Sequence, residues 1–216
     1  MIVGHFAVGL GAKRFVPRLS LGTAFLAIQW ADLLFATLLL FGVERVAIVP
    51  GLTAASPFDF LRYPFSHSLV AGVVWALLFA VVALLLRRPK AVAVALALLV
   101  FSHWLLDWVT HRPDLPLAFG DGDKVGLGLW HSLPGTLAVE LPLFALGTWL
   151  YLRATRARDG VGTWALWGLV AALLAVYFYG LWGPPPGSPT EVALLGQSIW
   201  LFVAWGYWID RHREVR

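Results

Sequence analysis

Cysteine is absent from all 216 residues, and methionine occurs once. Without a thiol the chain has no disulfide, no thiolate metal site and no cysteine nucleophile, so any metal must be held by imidazole and carboxylate groups. Charge is scarce too: Asp, Glu, Lys and Arg make up 13% of the sequence, against about 25% in an ordinary soluble domain. Hydrophobic residues reach 60%, and the mean hydropathy is +0.78. A chain of this kind is expected to be an all-α, polytopic membrane protein. The formal net charge of +4 does not point to nucleic acid. Its basic residues sit between apolar runs rather than along one stripe, which makes them topology signals. Residues 1 to 12 have neither the charged n-region nor the small-residue cleavage site of a secretory signal, so this apolar segment is expected to stay attached.

The apolar runs predict about six transmembrane helices, near Leu21–Val43, His67–Leu86, Ala91–Val109, Gly135–Leu152, Thr163–Trp182 and Glu191–Trp208. Residues 1 to 12 make a helix of only about 18 Å, short of a hydrocarbon core of about 30 Å. They predict a half-helix that starts at mid-depth and descends to Lys13. Proline and glycine punctuate the loops 44–66, 111–134 and 183–189. The whole chain reads as one membrane domain, with the site candidates in residues 1–112 and an outer loop and three further spans in 113–216. Twelve of the sixteen Lys and Arg residues fall on one side of the spans: Lys13, Arg14, Arg18, Arg87, Arg88, Lys90, Arg153, Arg156, Arg158, Arg211, Arg213 and Arg216. The positive-inside rule then puts both termini in the cytoplasm and the site in the cytoplasmic (inner) membrane, facing out.

Chemistry concentrates in Ser102–Pro113, SHWLLDWVTHRP. In a helix His103, Asp107 and His111 recur every four residues and share one face. An imidazole and a carboxylate at that spacing can grip one cation. His5, Asp32 and His67 also interrupt apolar sequence. Ionisable groups at membrane depth usually face the bundle interior, pair, or coordinate ions. A divalent cation held by carboxylates and neutral imidazoles, zinc above all, would lower the pKa of water to about 7 and make hydroxide available for attack on a phosphoester. At the outer leaflet the nearest phosphoester belongs to a membrane lipid.

The succession GHFAVGL around His5, WADLLF around Asp32, FSHSLV around His67 and SHWLLD around His103 and Asp107 resembles the bacterial membrane-bound metal-dependent hydrolases. The same order is similar to that of the zinc ligands in bacterial zinc phospholipase C and the single-strand-specific zinc nucleases. The resemblance covers roughly residues 1 to 112. It implies that His5, Asp32, His67, His103 and Asp107 are metal ligands, with Asp107 a bridge where two ions bind. Two departures stand out: one acid in Gln29-Trp30-Ala31-Asp32 where those hydrolases have a pair, and nine residues between His131 and Glu140 where the soluble enzymes have His-x-x-x-Glu. One or two ions are therefore expected rather than three, with His103, Asp107 and Asp32 as the catalytic set.

Plainer readings stand beside each of these. Asp107 could pair with Arg112, Asp32 could join two helices, His67 could merely start a helix capped by a neighbouring serine, and His5 could be a packed core histidine. His111 and Arg112 are candidates for binding an anionic substrate, phospholipid or lipid-linked, or for sitting at headgroup level. His131 and Glu140 are weaker candidates, with Glu140 expected to reach water. Residues 120–128, GDGDKVGLG, match neither a calcium loop nor a phosphate loop and predict a flexible turn. His212 is expected to be solvated. A transporter with a cation relay and a purely structural membrane protein remain the alternatives to an enzyme.

Overall fold

The computed structural model describes residues 1–120 and 122–216; Asp121, within the expected flexible turn, lies outside the described residues. In chain order the elements are α1 Val3–Phe15, α2 Leu21–Ile28, α3 Trp30–Leu40, β1 Arg45–Ile48, β2 Phe58–Arg62, α4 Pro64–His67, α5 Leu69–Leu85 and α6 Lys90–Thr110. There follow β3 Leu115–Pro116, β4 Lys124–Val125, a 3₁₀ turn Leu129–His131, α7 Leu133–Ala154, β5 Thr155–Ala157, α8 Gly160–Trp182, α9 Pro189–Gln197, α10 Ile199–His212 and β6 Arg213–Val215. The strands form three antiparallel pairs, β1 with β2, β3 with β4 and β5 with β6, that tie loops together while helices carry the fold.

Helix starts follow the serine and aspartate positions. Ser20, Ser68, Ser132, Asp159 and Ser188 each accept a backbone N–H from the first turn of α2, α5, α7, α8 and α9. Such caps contribute about 1 kcal/mol apiece. Among the described residues four helices are long and apolar enough to cross a membrane: Lys90–Thr110, Leu133–Ala154, Gly160–Trp182 and Pro189–His212, the last running through α9 and α10. The expected six spans thus reduce to four, or five if α2 and α3 are counted as one bent span.

The expected span Leu21–Val43 is broken at Gln29, where the two halves turn by 56°. Gln29 has φ −97° and ψ 7°, outside helical geometry. The expected span from His67 also starts later, at Leu69, because His67 ends the separate turn α4. That leaves α5 with 17 residues, about 25 Å of helix. Its Val73, Val74, Leu77, Leu78, Val81, Val82, Leu84 and Leu85 are all exposed, which leaves α5 an outward apolar face. The fold is therefore a bundle of apolar helices with the lengths a membrane location requires.

The short N-terminal helix is present as expected and lies inside the bundle, with Val3, Phe6, Ala7 and Leu10 in one core with Phe144 and Tyr151 of α7 and Leu166, Leu169 and Leu173 of α8. The approach of α1 to α7 is as close as backbones allow. A Cβ on Gly147 would overlap the carbonyl of Ala7. Small residues at helix crossings are the usual means of close packing in a membrane. A second core joins α2, α5 and α6 through Ala24, Ala27 and Ile28, Ala76 and Ala83, and Leu96, Leu99 and Val100 respectively. At one end of the bundle Lys13 reaches Asp210 at 3.3 Å, and β5, after α7, pairs with β6 at the C-terminus. His212 is not simply solvated there, since its Nδ1 bonds Asp159 Oδ2 at 2.8 Å.

Candidate metal centre

Four separate elements deliver the candidate ligands, and the break at Gln29 matters most. It puts Asp32 in the first turn of α3, where the partial positive charge of a helix N-terminus favours an anion. It also presents the Ile28 carbonyl, at the end of α2, to His103: the ring Nδ1 lies 2.6 Å from that oxygen. A carbonyl can only accept, so Nδ1 carries the proton and Nε2 keeps its lone pair. His5 projects from the first turn of α1, His67 from the end of α4, and His103 and Asp107 from successive turns of α6.

The five residues that the resemblance singles out converge. His5, His103 and Asp107 place ligand atoms within 4.8 Å of one another, and so do Asp32, His67 and His103. His5, His67, His103 and Asp107 are fully buried, while the Asp32 side chain is 33% exposed. The site therefore opens on the Asp32 side. These buried His and Asp groups are able to hold a metal ion.

Individual distances sharpen the fit. His67 Nε2 is 3.4 Å from Asp32 Oδ1 and 3.6 Å from Asp107 Oδ2, and His103 Nε2 is 3.7 Å and 3.0 Å from the same two oxygens. Four donors around a cation with bonds of about 2.1 Å stand about 3.4 Å apart, so these four nitrogen-to-oxygen distances are close to those between neighbouring donors of a zinc-type shell. Despite its 3.0 Å approach to Asp107, His103 Nε2 makes no hydrogen bond, because with the proton on Nδ1 both it and the carboxylate oxygen can only accept. A buried nitrogen without a partner is costly, and a cation at the centre of the four donors would satisfy it.

His5 plays a different part. Its Nε2 hydrogen-bonds Asp107 Oδ1 at 3.0 Å, and the Met1 backbone nitrogen contacts the same oxygen at 2.6 Å. Asp107 thus turns one oxygen to α1 and the other to the four-donor centre. Two residues that sequence reasoning undervalued complete the frame. Glu140, expected to reach water, is 1% exposed and accepts the N–H groups of Ile2 and Gly4 through Oε2, at 2.9 and 3.2 Å, which caps α1 and fixes His5 in depth. Glu44, the residue just before β1, is fully buried and accepts from the N–H groups of Phe65 and Ser66 and from Ser66 Oγ. Its position after a Gly42-Val43 turn carries no signal in sequence.

The remaining candidates lie apart. His111 Nδ1 donates to Asp114 Oδ1 at 3.0 Å, and Tyr63 OH donates to the same oxygen at 3.1 Å. Arg112 is held by Asp114 Oδ2 at 2.9 Å and by Asp59. Arg112 therefore pairs with these two acids and not with Asp107, and His111 and Arg112, both named for substrate binding, brace the segment that follows α6. His131 is exposed on its 3₁₀ turn and belongs to neither ligand group. The segment expected to be a loose turn is partly pinned, with Leu127 N bonded to Trp108 O at 2.8 Å and Gly128 N to His111 O at 2.7 Å. Beside His67 and His103, a cavity of about 10 Å³ lined by Trp30, Trp75, Val100 and Trp104 has room for one water. Comparison with protein-family models, with curated proteins and with solved structures gives no match for this chain.

Proposed function

We propose that the protein is a membrane-embedded metal-dependent hydrolase acting on a phosphoester. The observation that carries this reading is the convergence of His67 Nε2, His103 Nε2, Asp32 Oδ1 and Asp107 Oδ2, each nitrogen lying 3.0 to 3.7 Å from each oxygen, with His103 Nε2 otherwise unpartnered. Two imidazoles and two carboxylates suit zinc. The metal would supply Lewis acidity and hydroxide at neutral pH.

One ion per chain is favoured over two. His103 has a single free lone pair, its other nitrogen being given to Ile28, and it is common to both ligand groups. His5 Nε2 is already hydrogen-bonded to Asp107 Oδ1, so His5 orients that carboxylate rather than ligating. Asp32 is the partly exposed donor and marks the side from which substrate reaches the site. The indoles of Trp30, Trp75 and Trp104 keep bulk water from the inner side.

The basic end of the bundle faces the cytoplasm by the positive-inside rule, with both termini, in the cytoplasmic membrane. That orientation places the Asp32 opening toward the outer leaflet, where a phospholipid or lipid-linked phosphoester is the substrate class at hand. Between the site and the basic end the packing is apolar, with Ala24, Ala27, Leu96 and Leu99 in one cluster, which favours an enzyme over a cation path.

The test is metal analysis of detergent-purified protein together with hydrolysis of a phosphodiester and phosphomonoester panel, including phospholipids. The expected result is about one zinc per chain and phosphoester turnover that is lost with a chelator and with His103→Ala. Metal-free protein that takes up no zinc, cobalt or manganese would overturn the reading.

A further inference from the structure

His67 sits beside a chain of short contacts that leads away from the four-donor centre. Its Nδ1 lies 2.7 Å from Ser66 Oγ, and Ser66 Oγ lies 2.6 Å from Glu44 Oε2. The other carboxylate oxygen of Glu44 accepts the backbone N–H groups of Phe65 and Ser66 at 2.8 and 2.9 Å. All three side chains are buried, Glu44 and Ser66 at 0% and 2% exposure.

A hydroxyl has one proton to give. The carboxylate at 2.6 Å takes it, since charge-assisted bonds are about twice as strong as neutral ones and the competing acceptors, His67 Nδ1 at 2.7 Å and the Tyr63 carbonyl at 3.5 Å, are neutral. Ser66 Oγ must then accept from His67, which places the ring proton on Nδ1 and leaves the Nε2 lone pair directed at Asp32 and Asp107. From this chain we infer that Glu44 is a positioning residue that sets the tautomer of His67 through Ser66, and so decides whether His67 can bind a cation. The inference rests on the metal-site reading above. It adds a residue outside the ligand set whose action is polarity alone: a carboxylate orients the relay one way, and a group of the same shape that donates orients it the other.

Glu44→Gln is the discriminating variant. The two backbone N–H groups keep the amide oxygen at the Oε1 position, so the amide NH₂ faces Ser66 and donates to it. Ser66 then donates to His67 Nδ1, and the ring proton moves to Nε2, where it blocks ligation. Ser66→Ala removes the relay without reversing it, and leaves both backbone bonds to Glu44.

The measurement is the ¹⁵N shifts of the His67 ring in metal-free protein, followed by zinc affinity in competition with a chelator. In the wild type the proton is expected on Nδ1; in Glu44→Gln it is expected on Nε2, with zinc bound at least 100-fold more weakly. Ser66→Ala is expected to weaken zinc about 10-fold, in the range that second-shell partners of metal ligands usually command. A His67 tautomer unchanged in folded Glu44→Gln, or zinc affinity within twofold of wild type, would overturn the inference. Wild-type protein that binds no zinc would instead overturn the metal reading, while the tautomer shifts would still report on the relay.

Discussion

The imidazoles of His5 and His103 lie face to face, with centroids 3.8 Å apart and planes within 3° of parallel. Through this stack the short first helix rests directly on the helix that supplies two of the four central donors. Removing His5 therefore removes a hydrogen bond to Asp107 and a wall of the site, but no donor. His5→Ala is expected to weaken zinc binding about 10- to 100-fold while keeping one ion per chain, whereas His103→Ala loses the ion. Metal titration with stoichiometry measured on both variants checks this. Two ions in the wild type, one of them lost with His5, would sink the one-ion reading.

Gly147 is where α7 admits α1. Gly147→Val puts its side chain against the Ala7 carbonyl, and the helices must separate. A cost of about 1 to 3 kcal/mol in stability is expected, the usual range for overpacking. Because α1 carries His5, zinc affinity should fall along with the unfolding temperature. Gly160→Ala, with open space around its Cβ position, is the control expected to change neither.

The brace of His111, Arg112 and Asp114 is expected to be acid-sensitive. Burial pushes the His111 imidazole down more than Asp114 draws it up. Burial also pushes the Asp114 carboxyl up, yet the hydrogen bonds from His111, Arg112 and Tyr63 outweigh it and hold Asp114 below the usual carboxylate range. Both groups thus bind protons more readily when unfolded, where their pKa values are about 6.5 and 3.9. Their stabilisation is complete above those values and is lost as pH falls, His111 starting below about pH 6.5 and Asp114 below about pH 4. Unfolding in detergent from pH 8 to pH 4 should show declining stability, and His111→Phe should flatten the upper part of the decline. A stability that rises on acidification would contradict it.

The absence of native cysteine makes topology directly testable. Ala54→Cys, exposed in the loop between β1 and β2, is expected to react with a membrane-impermeant thiol reagent from outside the cell. Arg88→Cys, exposed in the turn between α5 and α6, is expected to react only after the membrane is opened. The reverse pattern would invert the orientation and move the site to the other leaflet.

Composition by itself decided the class: a chain 60% hydrophobic and 13% charged has little choice but apolar helices, and their approximate limits follow from where Pro, Gly and charge interrupt the runs. The convergence of five polar side chains was legible for a related reason. His5, Asp32, His67, His103 and Asp107 stand out because polar side chains inside apolar sequence need partners. Tertiary structure alone decided how those partners are shared. The bend at Gln29, which brings the Ile28 carbonyl to His103 and divides an expected span, leaves no mark in an apolar periodicity that runs straight through it. Glu44 and Glu140 were overlooked or misplaced because a carboxylate beside a loop or near a helix end reads as solvated until packing closes over it. Arg112 was matched with the wrong acid, since Asp59 and Asp114 reach it only after the loops fold back. Periodicity reports which side of a helix is buried; the direction of a lone pair depends on what a distant segment offers it, and that is set by packing.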